Sequence, residues 1–265
     1  MLYILFFSLV FGNQINYAKT LLPTVFDNYP PYHFLDNKRQ KKGSTYELIN
    51  TALIQMGYNP HVRQTAWKRA YKMVINGEVA IVYTLVNKPE RAKHLLYSRI
   101  IAKFRSVFFK RRADKIQWQQ LDALKHYIIG YTDGYGYPKV FLQALANKLI
   151  QGRSIQANDT PEFQHLKNLI NNRVNLITCN QDTCNYLKQR YSPLFNNIGY
   201  IDKTIGTVGY FYVAVSKKWP QAQSLLKKLN KTITDLHQSG KMEAIYTKYG
   251  VAVPTREELE LNVVR

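Results

Sequence analysis

Strand-like and helix-like segments alternate along this chain in the order β-α-β-α-β, and they do so twice. That order is the signature of an α/β lobe with a mainly parallel sheet, because strands running the same way need a crossover between them. In the first series, residues 21–26 read as an apolar strand. It runs into Asp27-Asn28-Tyr29-Pro30-Pro31-Tyr32, where two prolines impose an extended turn. Residues 45–56 carry Leu48, Ile49, Ala52, Leu53 and Met56 at helical spacing, and Gly57 ends the helix. A strand over 60–65 and a helix over 67–75 follow. Asn76-Gly77 stops that helix, and the β-branched apolar run 79–84 reads as a buried strand. The second series has strands over 126–131, 153–156 and 174–178. Its helices cover 138–150, with Pro138 at the start and Gly152 beyond the end, 160–171, with Thr160 as cap and Pro161 as first residue, and 182–191. The two series share an order of elements without an obvious sequence repeat.

The tail adds a strand over 209–215 and an amphipathic helix over 220–238, with Leu225, Leu226, Leu229, Ile233 and Leu236 on one face. Gly240 stops that helix, and a last short one over 241–249 ends at Gly250. With 265 residues, 46% hydrophobic and 20% charged, the chain has the length for two lobes and is too apolar for disorder. Residues 1–11 form a continuous apolar block too short to span a bilayer as a helix. Residues 1–18 therefore read as a secretory signal with cleavage after Ala18, the plain alternatives being a buried strand or an uncleaved anchor. No second apolar stretch approaches spanning length, so the mature protein is expected to be soluble and exported.

The formal charge is +20, from 37 Lys and Arg against 17 Asp and Glu. Such a field attracts anions in general: nucleic acid, anionic headgroups, cell-wall polymers. The densest cluster, Lys110-Arg111-Arg112 with Lys115, lacks the interleaved aromatic residues of a nucleic-acid module, and export separates the chain from DNA, so no nucleic acid partner is expected. Cys179 and Cys184 stand five residues apart. A disulfide closing a small loop and two small buried residues are both open readings. The chain has no CxxC, no Cys/His cluster and no HExxH, so neither a metal nor a cofactor is expected.

The most informative stretch is 76–98, NGEVAIVYTLVNKPERAKHLLYS. A buried strand ends there in a loop punctuated by Pro89, with Arg91 just past it. A cation on a loop at the end of a buried strand is where open α/β sheets bind ligands. The stretch resembles the "GE-hydrophobic strand-xxTPER-xxxxxFS" signature of bacterial extracellular solute-binding proteins, family 3. The resemblance extends in order through the Tyr-Pro-Pro-Tyr turn, Trp67-Lys68-Arg69-Ala70, Pro89-Glu90-Arg91, Gly134-Tyr135-Gly136-Tyr137, and the ending LHQSGKMEAIYTKYG with Lys248-Tyr249. It implies a two-lobed periplasmic-binding-protein fold (type II) with ligand in the cleft. Lobe 1 would be residues 19–104 plus 208–265 and lobe 2 residues 105–207, with hinges near 102–105 and 204–209.

The resemblance also assigns roles. Arg91 would grip a ligand carboxylate, for which a planar guanidinium fork is suited; the plain alternative is a surface arginine paired with Glu90. Tyr29 would face the cleft as an aromatic wall while Tyr32 packs in the core. Trp67 is a second wall or a core anchor. Thr84 and Val86 lie on the arm leading to Arg91, and Thr84 offers a hydroxyl, though a β-branched strand residue needs no ligand. Tyr135, Gly136 and Tyr137, ahead of a helix N-terminus, would close from lobe 2. One position departs from the pattern: Asn180 stands where amino-acid binders have an aspartate for the ligand ammonium. Asparagine keeps hydrogen bonding without the charge, and Asp182 is the nearby candidate to replace it. Ala80 and Asn175 likewise stand where the pattern has structural aspartates. The expected function is a monomeric periplasmic binding protein, not an enzyme, that presents a small-molecule ligand to an ABC permease or a sensor. The competing readings are a dehydratase-like enzyme on the same scaffold, with Glu90, Asp133, Asp182 and His33 as its few acid–base candidates, and a non-transport binding protein that uses its basic surface.

Overall fold

The computed structural model describes residues 20–157 and 160–261. The expected signal segment, 1–18, lies outside them. The first part of the chain runs β1 (Thr20–Phe26), a small hairpin β2 (Phe34–Leu35) and β3 (Lys41–Lys42), α1 (Ser44–Gln55), β4 (Tyr58–Gln64), α2 (Trp67–Asn76), β5 (Ile81–Leu85), α3 (Pro89–Ala92) and β6 (Leu95–Phe104). It continues as β7 (Ser106–Arg111), β8 (Ile128–Thr132), α4 (Lys139–Ala146), β9 (Gln151–Ile155), α5 (Pro161–Ile170), β10 (Leu176–Asn180), α6 (Gln181–Arg190) and β11 (Ile198–Tyr200). It ends with β12 (Gly209–Ser216), α7 (Ala222–Gln238), α8 (Lys241–Thr247) and α9 (Arg256–Glu260).

These elements build two five-stranded sheets flanked by helices, ordered β4-β1-β5-β12-β6 and β11-β7-β10-β8-β9. In the first, β1 lies parallel to both β4 and β5; in the second, β8 lies parallel to both β9 and β10. The remaining pairings are antiparallel, so each sheet is mixed. The reason is the crossing: β6 leaves the first sheet, passes through Arg105 alone, and enters the second as β7, while β12 returns beside β6. The two crossings are tied together. Arg105 Nη2 donates to Asp202 Oδ1 (2.8 Å), Arg105 Nε to Thr204 Oγ1 (2.8 Å), and the Ile205 amide to Ser106 O (2.8 Å).

The helix faces read from the sequence are those that pack. Leu48, Ile49 and Leu53 of α1 and Leu225, Leu229 and Ile233 of α7 are buried with Leu22 and Phe26 on one side of the first sheet. Trp67, Ala70, Met73 and Val74 of α2 cover the other side. Full burial of such a side chain contributes roughly 1.5–3 kcal/mol, which is what holds these faces to the sheet. The expected helix over 138–150 is shorter in the structure, because Lys148 takes a left-handed conformation (φ 56°) that ends it before β9. Strands β6 and β7, β11, the small hairpin and α9 were not anticipated as separate elements.

Cys179 and Cys184 are joined by a disulfide across the junction of β10 and α6. Part of the basic cluster is engaged with the protein's own carbonyls, while Arg112 and Lys115 are exposed. Arg111 donates to Leu169 O and Val174 O (2.7 and 2.9 Å) and pairs with Asp114, while Lys110 and Arg112 donate to the Asp114 and Asn196 carbonyls. Among the described residues, no helix is long and apolar enough to cross a membrane, and no group of His, Cys, Asp and Glu is placed to hold a metal ion.

Candidate functional site

In each sheet the strand order reverses around the first parallel strand, β1 or β8, and crevices form at the carboxyl ends of strands at such points. A cavity of about 70 Å³ lies there, between the two sheets. Every ligand residue anticipated from the sequence lines it: Tyr29, Trp67, Thr84, Val86 and Arg91 from the first part of the chain, and Tyr135, Gly136, Tyr137 and Asn180 from the second. They are far apart in sequence and are gathered because each lies at the carboxyl end of a strand or in the segment that follows it.

Arg91 sits in the short helix α3, which Pro89 starts, and is only 6% exposed. Its guanidinium carbon lies 5.0 Å from the Trp67 ring centroid and 5.5 Å from that of Tyr71. Nη1 donates to Val86 O and Nη2 to Gly134 O, both at 3.3 Å. Among the described residues it forms no salt bridge; the neighbouring Glu90 faces Lys88 instead, at 3.9 Å. Burial lowers the Arg91 pKa from its usual range, but a guanidinium stays charged in a protein. The result is a desolvated cation on an aromatic platform with only neutral partners. Trp67 therefore packs in the core and walls the cavity at once.

Thr84 is buried at the end of β5 with φ 48°, a left-handed conformation costly for a β-branched residue by about 1–3 kcal/mol. Its hydroxyl lies 2.8 Å from Thr45 Oγ1. Thr45 in turn reaches Tyr32 O and His33 Nδ1, and His33 Nε2 lies 3.0 Å from Asp27 Oδ1. This buried chain of polar contacts over-determines the turn after β1 and fixes Thr84 and Asp27 at the cavity wall. Tyr29 and Tyr32 stack with centroids 5.7 Å apart. Tyr29 faces the cavity and meets Tyr135 edge to face at 6.3 Å. Tyr32 is fully buried, and its hydroxyl donates to Asp182 Oδ2 (2.9 Å) and accepts from Asn180 Nδ2 (3.2 Å).

On the opposite wall, Gly136 faces Val86, and Tyr137 turns its hydroxyl back to accept the Thr132 amide (2.7 Å) while its ring packs on Phe141. Asn180 caps α6, its Oδ1 accepting from the Asp182 amide (2.9 Å). Both ends of the Asn180 amide are thus engaged in holding the fold. Asp182, the candidate to supply the missing charge, does not line the cavity, because its carboxylate is held by Tyr32. Asn175 accepts the Ile128 amide (2.8 Å) and donates its own amide to Ile128 O (2.9 Å), so a neutral side chain suffices there to join the strands.

The sequence reading missed Glu162. It stands in the first turn of α5, is 7% exposed, and lines the cavity with Asp27, His165, Thr132 and Thr178. Burial, reinforced by the charge of Asp27, raises its pKa to about 8. His165, with Nε2 at 3.0 Å from Thr132 Oγ1, is lowered by burial to about 4 and is neutral. The Thr160-Pro161 helix start was legible, but an acid in a first turn ordinarily reads as a solvated complement to the helix dipole. Only the packing of α5 against β8 and β10 turns it inward.

A family model for bacterial extracellular solute-binding proteins, family 3, matches residues 24–252. The chain belongs to this family. Family 3 membership accounts for the two mixed sheets joined by crossing strands. Among solved structures, the chain resembles a histidine kinase sensor domain with similarity to periplasmic binding proteins (18% identity, TM-score 0.76, 89% of this chain and 98% of that one). It also resembles the substrate-binding protein of an amino acid ABC transporter (20% identity, TM-score 0.72, 86% and 98%) and an ancestral arginine-binding protein bound to arginine (15% identity, TM-score 0.74, 86% and 97%). At these identities the likenesses establish the fold, α/β and two-lobed. No curated protein matches the chain significantly.

Proposed function

We propose that this family 3 protein is a periplasmic, monomeric binding protein that closes around a small carboxylate-bearing ligand, an amino acid or a relative of one, for ABC-type import or for sensing. In this reading lobe 1 is residues 19–104 plus 208–265, lobe 2 is residues 105–207, and the crossings near 102–105 and 204–209 are the hinges. The observation that carries it is Arg91, buried on Trp67 and Tyr71 without an acidic partner among the described residues and facing a cavity lined from both sheets. A ligand carboxylate supplies the charge that carbonyl oxygens only approximate. Tyr29 and Trp67 wall the ligand, Thr84 offers its hydroxyl, and Tyr135 to Tyr137 close from the other side. Contact with both lobes is what lets a ligand shift the population toward closure. The amino-acid transporter component and the kinase sensor domain among the similar structures support the two delivery routes. The disulfide supports an oxidising, exported location.

The test is calorimetric titration of the protein with a panel of amino and organic acids, repeated with Arg91→Ala. At least one carboxylate binds, and the variant loses about 2–5 kcal/mol of affinity, as expected for removal of one partner of a buried charge pair. Binding untouched by Arg91→Ala ends the clamp reading. A dehydratase-like enzyme is the second reading, favoured by Glu162, a cavity acid that holds a proton near neutral pH. A similar structure is an ancestral amino acid-binding protein described as a precursor of cyclohexadienyl dehydratase. Turnover of a cyclic carboxylate would decide for it.

A further inference from the structure

We propose that Thr178 selects the ligand: its hydroxyl pairs with a hydroxyl group on the solute, which is therefore a compact hydroxylated carboxylic acid. The inference rests on the cavity being a ligand site with Arg91 at the carboxylate, and it names the group at the ligand's other end. Thr178 is the third residue of β10, is 3% exposed, and lines the cavity. Its Oγ1 is buried and has no hydrogen-bond partner among the described residues. The other threonines that line the cavity are engaged, Thr84 with Thr45 at 2.8 Å and Thr132 with His165 at 3.0 Å. Strand alternation places Thr178 where it is. Ile177 and Cys179 turn into the apolar cluster with Leu166 and Leu187, so Thr178 and Asn180 turn to the opposite face. Ser106, which pairs with Asn180 from β7, shares that face and also lines the cavity. The Asn180 amide is taken by Tyr32 and by the Asp182 amide, which leaves the hydroxyls of this face to meet a ligand.

A buried hydroxyl left unpaired is unfavourable, and the cost is relieved when a ligand atom pairs with it. An aliphatic ligand end packed there would make the loss permanent. An anionic end would lack a counter-charge, because among the described residues Arg91 is the only Lys or Arg that lines the cavity, and His165 is neutral. A hydroxyl meets both demands. It is neutral, and it donates and accepts, so it pairs with Thr178 whichever way that hydroxyl turns. A cavity of about 70 Å³ keeps the ligand short. Arg91 follows the first sheet and Thr178 belongs to the second. A molecule with its carboxylate at one and its hydroxyl at the other bridges the sheets, which ties selectivity to closure.

The experiment is titration calorimetry on the full chain, wild type, Thr178→Val, Thr178→Ala and Thr178→Ser, at neutral pH. The probes are carboxylic acids in pairs that differ by one hydroxyl: serine and alanine, threonine and 2-aminobutyrate, glycerate and lactate, malate and succinate. The wild type is expected to prefer the hydroxylated member of at least one pair by about tenfold or more, because a site built to pair a hydroxyl rejects the analogue without it. Thr178→Val keeps the side-chain shape, loses that preference, and binds the deoxy partner as well as the wild type or better. Thr178→Ala repeats the loss with a smaller side chain, so failure of one variant to fold leaves the test intact. Thr178→Ser keeps the hydroxyl and with it the preference. Thermal melts separate selectivity from damage to the fold: without ligand, Thr178→Val melts at or above the wild-type temperature, since an unpaired buried hydroxyl is gone. Equal binding within every pair, or a preference that survives Thr178→Val or Thr178→Ala, overturns the inference while Arg91-dependent binding leaves the proposed function standing. Absence of binding by every probe overturns both.

Discussion

Gly136 and Val86 meet across the cleft with no room between them: a Cβ at position 136 would lie 2.1 Å from Val86 Cγ2. Real Cβ atoms do not make such contacts, so the missing side chain is a condition of this closed arrangement. Gly136→Ala is expected to leave each sheet folded and to oppose closure by about 1–3 kcal/mol, the usual range for overpacking. Ligand affinity then falls roughly 5- to 150-fold. Adding Val86→Ala removes the obstructing methyl and restores most of it. Calorimetry on the single and double variants, with small-angle scattering to follow closure, checks the pair.

Arg91 is set by geometry as well as charge. Its plane lies over Trp67 and Tyr71, and two of its nitrogens donate to carbonyls on opposite walls. Lysine keeps the charge but has neither the plane nor the fork. Arg91→Lys should therefore weaken carboxylate binding by about tenfold or more while leaving the melting temperature near that of the wild type. An affinity equal to wild type would mean that charge alone suffices.

The cavity makes stability depend on pH in a defined window. Glu162 titrates at about 8 when folded, against about 4.3 for an unfolded glutamate, so across that range the folded state holds a proton that the unfolded state has lost. Stability falls as pH rises through this range. His165 works the other way. Lowered to about 4 from an ordinary value of about 6.5, it makes stability fall as pH drops below 6.5. The two oppose one another between about 4.3 and 6.5, and above 6.5 Glu162 acts alone. Ligand-free protein is expected to lose melting temperature steadily from pH 6.5 to 8, and Glu162→Gln to abolish that slope. Thermal melts across the interval decide it.

The disulfide closes a loop of sequence separation 5 around Asn180 and the start of α6. Constraint of so short a loop contributes about 2 kcal/mol in the chain-entropy account. Reduction, or the Cys179→Ala/Cys184→Ala pair, should lower the melting temperature by about 4–8 °C for a protein of this size. Differential scanning calorimetry with and without reductant measures it. Affinity should also fall, since Asn180 loses the constraint that holds it against Tyr32.

Much of the site was readable because its residues stand at punctuation points. Pro89 before Arg91, the double proline beside Tyr29, and Gly134 and Gly136 around Tyr135 all mark places where regular structure stops. In an α/β order those places converge at the carboxyl ends of strands. Helix faces such as Leu48, Ile49 and Leu53 were equally plain, because burial follows the helical period. The alternation of elements therefore determined the fold class, and the loop motifs determined the family and marked Arg91 as a cavity residue. Tertiary structure alone decided the rest. Whether the Asn180 amide is free or tied to Tyr32, whether Asp182 supplies charge or holds Tyr32, and whether Glu162 points to water or inward all depend on contacts between residues more than a hundred positions apart, or on how one helix packs. Charge type is written in the sequence. Desolvation is not, because it depends on which surfaces the two sheets bring together.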